Sequence, residues 1–285
     1  LHPLDTDQIN TYQRDGFVIA RQFYDNEEID LLYRAAKEDR EIDQRAFDRA
    51  DGEGGTVRLS VWNQPGDNIY GIFARGRRIV DSMEAILEGE VYHYHSKMIL
   101  KDAHTGGAWA WHQDYGYWYH NSVLLPLLSS VTIAVDPATR ANGCMQVLKG
   151  SHLMGRIDHV ITGEQTGADL DRVAHAEARL ELVYCELEPG DALFFHCNTL
   201  HRSDQNRSDQ SRWSLICCYN AARNDPYADS HHPRYSPLHK VDDSAIKEVG
   251  IRRFADDSAD VAWINPEQSL QEQIDKIEPA ASSET

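Results

Sequence analysis

The chain has 285 residues, and its 46 acidic side chains outnumber 28 basic ones to give a formal net charge of −18 at pH 7. That balance argues against a nucleic-acid partner, because phosphate binding needs clustered Lys and Arg to displace counterions. Apolar runs stay short of the ~18 residues a membrane span requires, and no charged-then-apolar leader opens the sequence, so neither a span nor a secretory signal is expected.

In chain order, Asp5 to Arg14 reads as a short helix capped by Asp5 or Thr6, and Gly16 to Arg21 as a strand. Asn26 to Asp39 carries Ile29, Leu31, Leu32 and Ala35 at mostly helical spacing. Gly52 to Gly55 marks a loop, and Arg78 to Leu87 presents Ile79, Val80, Met83 and Ile86 as the apolar face of a further helix. From Val91 the pattern changes to strands: Val91 to Leu100, Ser130 to Val135, Met145 to Leu148, Leu180 to Leu187, Asp191 to His196 and Arg212 to Tyr219. Many short strands with Gly and Pro turns predict a sandwich or closed barrel. The tail from Pro266 is polar and predicts a weak helix followed by disorder, leaving residues 1–265 as one catalytic domain with N-terminal helices. Five cysteines (Cys144, Cys185, Cys197, Cys217 and Cys218) form no Cys-x-x-Cys motif and lie mostly in apolar runs, which points to reduced core residues and a cytoplasmic protein.

The chemistry concentrates around Trp111-His112-Gln113-Asp114. On an extended strand, side chains at i and i+2 share a face, so His112 and Asp114 reach one ion while Gln113 points away. His201, in the polar segment after the Asp191 to His196 strand, is the candidate third ligand. Three ligands on one face of an octahedral Fe(II) leave three positions for a chelating cosubstrate and dioxygen, whereas a structural zinc site is closed by four. Arg212 opens a β-rich run, where its guanidinium can hold a small dicarboxylate by a charge-assisted, bidentate pair.

Around these residues the chain resembles the phytanoyl-CoA dioxygenase family of Fe(II)- and 2-oxoglutarate-dependent oxygenases. The resemblance runs through Asp15-Gly16-Phe17-Val18, the Lys101 to Gly107 approach to the His112 motif, and Asn142-Gly143-Cys144-Met145-Gln146-Val147 with Gly150-Ser151-His152. It continues through Glu188-Pro189-Gly190-Asp191 and the His201 to Arg212 segment. It implies a mainly β fold with flanking helices, the double-stranded β-helix form of the cupin-like jelly roll. It further implies that His112, Asp114 and His201 bind the iron, that Arg212 pairs with the distal carboxylate of 2-oxoglutarate, and that Ser203 adds a hydroxyl contact there. The activity implied is hydroxylation of an unactivated C–H bond of a small organic substrate, with O2 as cosubstrate and succinate and CO2 released. Asp114 also separates the chain from related halogenases, which carry a small residue at this position.

Other residues leave alternatives open. Alternation along Val91 to Lys101 assigns His93, His95, Lys97, Ile99 and Lys101 to one face. That face either meets bulk water or lines the barrel mouth, where Lys97 would contact 2-oxoglutarate or an acidic substrate. His93 and His95 form a second conceivable metal pair, ranked below 112 and 114 for want of a carboxylate. His196 competes with His201 but reads as a packed histidine, and His120, His152, His159, His231, His232 and His239 read as surface residues. Among the aromatics after the motif, Tyr117 and Trp118 are the candidates for shaping a substrate cavity, with core packing the competing reading. Two further functions stay open: a non-oxidative metal-binding jelly roll acting as a sensor or small-molecule binder, for which the Arg212 and Ser203 clamp is superfluous, and a zinc-dependent hydrolase or isomerase using His112, Asp114 and His201, for which no general base stands out.

Overall fold

A computed structural model describes residues 1–51, 54–162, 165–257, 259–265, 267, 274 and 275. The expected tail from residue 266 therefore falls almost wholly outside the described residues, as do Gly52 and Glu53 of the expected loop. The N-terminal part alternates helices and strands: α1 Thr6–Asp15, β1 Phe17–Ala20, α2 Asn26–Glu38, α3 Arg40–Arg45, β2 Phe47–Ala50, β3 Thr56–Trp62, α4 Ile69–Arg75 and α5 Arg77–Leu87. Strands β4 Val91–Lys101 and β5 Trp109–His112 lead to α6 Asp114–Trp118, then β6 Leu128–Ala134, β7 Met145–Leu148, β8 His159–Thr162, β9 Gln165–Ala168 and α7 Leu170–Glu177. The chain continues with β10 Leu182–Cys185, β11 Ala192–His196, β12 His201–Ser203, β13 Arg212–Ala221 and α8 Ala245–Val249.

Local sequence accounts for the helix starts. Asp5 caps α1 in a reciprocal box with Gln8, and Asp25 caps α2 in the same way with Glu28. Each box satisfies two backbone donors that the first turn cannot pair internally. Gly16 ends α1 at φ 84°, a left-handed conformation that costs glycine little.

The strands assemble into a jelly roll of two facing antiparallel sheets. The larger has the order β1-β11-β6-β13-β4-β3-β2, the smaller β10-β7-β12-β5, and β8 pairs with β9. Side-chain alternation divides the core. Val131, Ile133, Phe194, Leu215, Cys217 and Tyr219 face outward and pack with Leu32, Ile79, Val80 and Met83 of α2 and α5. Leu193 and Phe195 face inward against Val147 and Cys185 of the smaller sheet, and Ile216 and Cys218 inward against Tyr115 and Trp118. Arg212 shares the inward parity of Ser214, Ile216 and Cys218, so a cation is sent between the sheets.

One expectation fails on β4. Register shifts between Cys218 and Tyr219 of β13, so that His95 lies opposite Cys218 and His93 opposite Tyr219. The extra residue, Tyr94, is a β-bulge that inverts the alternation. His95, Lys97, Ile99 and Lys101 line inter-sheet cavities, but His93 turns to the helical side, where its ring meets Tyr219 and bonds Asn63 O and Ser96 Oγ. His93 and His95 are therefore no metal pair.

Candidate functional site

The register of the smaller sheet builds the centre. His201 on β12 lies directly opposite His112 on β5, and their ring centroids are 4.0 Å apart. Asp114 is not on that strand, contrary to the sequence reading: β5 ends at His112, and Asp114 is the first residue of α6. Gln113 between them stays extended at φ −114° and ψ 135°, which preserves the shared direction of residues 112 and 114. Its own amide turns away and bonds Gly155 O, Asn198 O and Ile157 N, tying the motif to the surrounding loops.

The three side chains fit a divalent iron. Ligand atoms of His112, Asp114 and His201 lie within 4.8 Å of one another, and all three residues are buried. His112 Nδ1 bonds Ala110 O at 2.8 Å and His201 Nδ1 bonds Thr199 O at 2.8 Å. A carbonyl only accepts, so each Nδ1 carries the proton and each Nε2 keeps its lone pair for a metal. Each Nε2 is 3.8 Å from Asp114 Oδ1. Burial holds the His112 imidazole well below its usual pKa, and the His201 imidazole below it, leaving both neutral. Burial opposes ionisation of Asp114, but Lys97, the two imidazoles and Tyr117 outweigh it and bring its pKa to about 2. Neutral imidazoles and an ionised carboxylate are the forms that bind metal. Both Asp114 oxygens are fixed from outside: Tyr117 Oη donates to Oδ1 at 2.5 Å and Ser130 Oγ to Oδ2 at 3.0 Å.

Beside this cluster lies a cavity of about 60 Å3 bordered by His112, His201, Lys97, Lys101, Ser203 and Arg212. Arg212 is 6% exposed, and its Nε has no hydrogen-bond partner among the described residues. Burial pulls its pKa down to about 10. An unpaired buried guanidinium is costly, and a carboxylate supplied by a bound molecule offsets that cost. Lys101, not singled out from sequence as a site residue, sits opposite Arg212 in the β4/β13 register and is almost wholly buried. Its Nζ donates to Ser203 Oγ at 2.9 Å and to Asp204 O at 2.5 Å. Because Lys101 Nζ donates to it, the Ser203 oxygen accepts that bond, which frees its own O–H to donate to a ligand. Burial, reinforced by Arg212, holds Lys101 well below the usual lysine range.

A second cavity, of about 100 Å3, meets the first at Lys97 and Trp109 and is walled by Tyr117 and Trp118. The remaining candidates are dispersed. His196 packs near Tyr12 and His152, apart from the metal cluster. His159 and His232 are buried, correcting their surface reading: His159 Nε2 accepts from Gln113 N at 2.9 Å, and His232 stacks on His95 at 4.6 Å. His239 is exposed. Turn-rich sequence hid the burial of His159 and His232, because it is set by packing against Gln113 and His95, which lie far away in the chain. Ser130 gave no signal, since its contact with Asp114 is set by the packing of β6 beneath α6.

Comparison with known proteins identifies the family. The family model of phytanoyl-CoA dioxygenase matches residues 12–214, more than half the chain. The L-proline trans-4-hydroxylase of Streptomyces griseoviridis is 31% identical over 178 residues, a match covering 56% of this chain and 66% of the hydroxylase. The ectoine dioxygenase of Halomonas elongata is 28% identical over 259 residues, covering 82% and 76%. The crystal structure of EctD from S. alaskensis with 2-oxoglutarate and 5-hydroxyectoine superimposes with a TM-score of 0.66 at 20% identity, over 85% of this chain and 88% of that one.

Proposed function

The chain belongs to the phytanoyl-CoA dioxygenase family of Fe(II)- and 2-oxoglutarate-dependent oxygenases, and on that premise we propose that His112, Asp114 and His201 hold the iron. In this reading Arg212 and Ser203 receive the distal carboxylate of 2-oxoglutarate, and the enzyme hydroxylates a compact, polar small molecule. The observation that carries the reading is the pairing of a buried three-ligand cluster with an orphaned guanidinium in one adjoining cavity. A non-oxidative metal-binding jelly roll has no use for that second feature. When bound, the iron and its cosubstrate supply the oxidising power that places a hydroxyl on a C–H bond, with O2 consumed and succinate and CO2 released.

The protein's own part is position and exclusion. Ala110 O and Thr199 O set the imidazole tautomers, and Tyr117 and Ser130 aim Asp114. Lys101 turns the Ser203 hydroxyl toward the cosubstrate seat. Tyr117 and Trp118 wall the substrate chamber, and Lys97 borders both cavities, within reach of either the cosubstrate or the substrate. The relatives named for proline and ectoine support a small polar metabolite as the substrate class. Residues 1–265 then form the catalytic domain, and five free, buried cysteines support a cytoplasmic setting. Neither nucleic acid nor a membrane is part of this reading. Among the described residues no helix is long and apolar enough to cross a membrane.

The test is anaerobic addition of Fe(II) and 2-oxoglutarate, followed by the weak visible charge-transfer absorption of the chelate. Wild type should develop the band, His112→Ala should not, and succinate release should then report on candidate substrates. A metal-bound wild type without the band would return the non-oxidative reading.

A further inference from the structure

The chamber beside the metal cluster is chemically one-sided. Acidic residues dominate the chain, 46 against 28 basic, yet no Asp or Glu is found among the described residues lining this chamber. Arg49 and Lys97 line it together with the histidines 95, 231 and 232. Lys97 is half-buried, and no hydrogen bond or ion pair engages it among the described residues. Arg49 lies over the Phe47 ring, 4.9 Å from its centroid. Three lining side chains also carry a buried ring nitrogen without a hydrogen-bond partner among the described residues: His95 Nδ1, Trp109 Nε1 and Trp118 Nε1. An indole nitrogen can only donate, and an imidazole can donate from either ring nitrogen.

Two of the polar groups on the same walls are already engaged. Tyr117 Oη is committed to Asp114, and the Gln165 amide is spent on Ala110 N and Ala108 O. Phe47, Leu59, Val61 and Ile264 supply apolar surface. A pocket that holds an unengaged ammonium and unpartnered ring nitrogens is complementary to a group that accepts hydrogen bonds and carries negative charge. An ionised carboxylate is that group.

We propose that the substrate is a compact molecule bearing a carboxylate, which seats against Lys97 while its apolar body lies between the aromatic walls. This assigns Lys97 to the substrate rather than to 2-oxoglutarate, whose far carboxylate is left to Arg212 and Ser203. The proposal rests on the oxygenase reading of the adjoining cluster. It also explains how an acidic protein accepts an anion: a local cationic lining works against the overall field.

The test compares acids with their neutral amides: L-proline with L-prolinamide, cyclopentanecarboxylate with cyclopentanecarboxamide, and benzoate with benzamide. Each is titrated anaerobically into the protein loaded with Fe(II) and 2-oxoglutarate, and binding is read from quenching of tryptophan fluorescence, since Trp109 and Trp118 line the chamber. At least one acid should bind about tenfold or more tighter than its amide, the scale of a charge-assisted contact. That preference should vanish in Lys97→Met and persist in Lys97→Arg. Equal binding of acid and amide, binding by no acid, or a preference that survives Lys97→Met overturns the assignment. The visible band formed with Fe(II) and 2-oxoglutarate alone checks the oxygenase reading separately, so the failure of one is distinguishable from failure of the other.

Discussion

Replacing Arg212 with methionine should separate the cosubstrate seat from the fold. Arg212 is 6% exposed, and its Nε lacks a hydrogen-bond partner among the described residues. Asp136, a carboxylate that acts on Arg212 electrostatically, is already engaged by Lys37 Nζ at 2.8 Å, Ser211 Oγ at 2.7 Å and Trp213 N at 2.8 Å. Lys101 stands opposite on β4, so two buried basic groups each disfavour the other's charge. Removing one of them for an apolar side chain of similar length should leave stability unchanged or raise it by about 1 kcal/mol. Binding of 2-oxoglutarate should respond in the opposite direction. Truncating one partner of a desolvated charge pair costs about 2–5 kcal/mol, so the dissociation constant should rise on the order of a hundredfold. Fe(II) affinity without cosubstrate should not change, because Arg212 is not in the ligand cluster. Arg212→Lys keeps the charge and loses the fork, and it should lie between the two. The assays are urea denaturation of the metal-free protein and anaerobic titration of the visible band. Unchanged 2-oxoglutarate affinity, or loss of the fold in Arg212→Met, would refute the reasoning.

Three further outcomes follow from the same geometry. Tyr117→Phe removes the hydroxyl that holds Asp114 Oδ1, and Fe(II) affinity should fall by about 10- to 100-fold in a metal titration, the usual loss for an outer partner of a ligand. Lys101→Met and Ser203→Ala should each weaken 2-oxoglutarate binding by about tenfold, yet the double variant should be little worse than either, because both disturb the one bond between them; full additivity in the visible-band titration would count against the coupling. In Gly116→Ala the new methyl would overlap the His159 ring, which accepts from Gln113 N, so denaturation should show a loss of about 1–3 kcal/mol and metal binding should weaken with it. A variant as stable as wild type would show that His159 is free to move.

The sequence by itself determined the parts whose physics is local. Asp5 with Gln8 and Asp25 with Glu28 announce their helices, because a capping box needs only residues three apart. The Met145–Leu148 strand appears as read, and Asp191 to His196 and Arg212 to Tyr219 differ only at their ends, because strand alternation is a property of one segment. The candidate ligands and the candidate clamp were legible as chemistry, since two histidines, a carboxylate and an arginine are residue types that suit iron and a dicarboxylate. Tertiary structure decided what those residues meet. Whether His112 faces His201, and Arg212 faces Lys101, depends on hydrogen-bond register between strands far apart in the chain. The bulge at Tyr94 has the same origin: one extra residue taken up against β13 sends His93 to the helices and leaves His95 and Lys97 in the cavities, which no pattern within β4 could reveal.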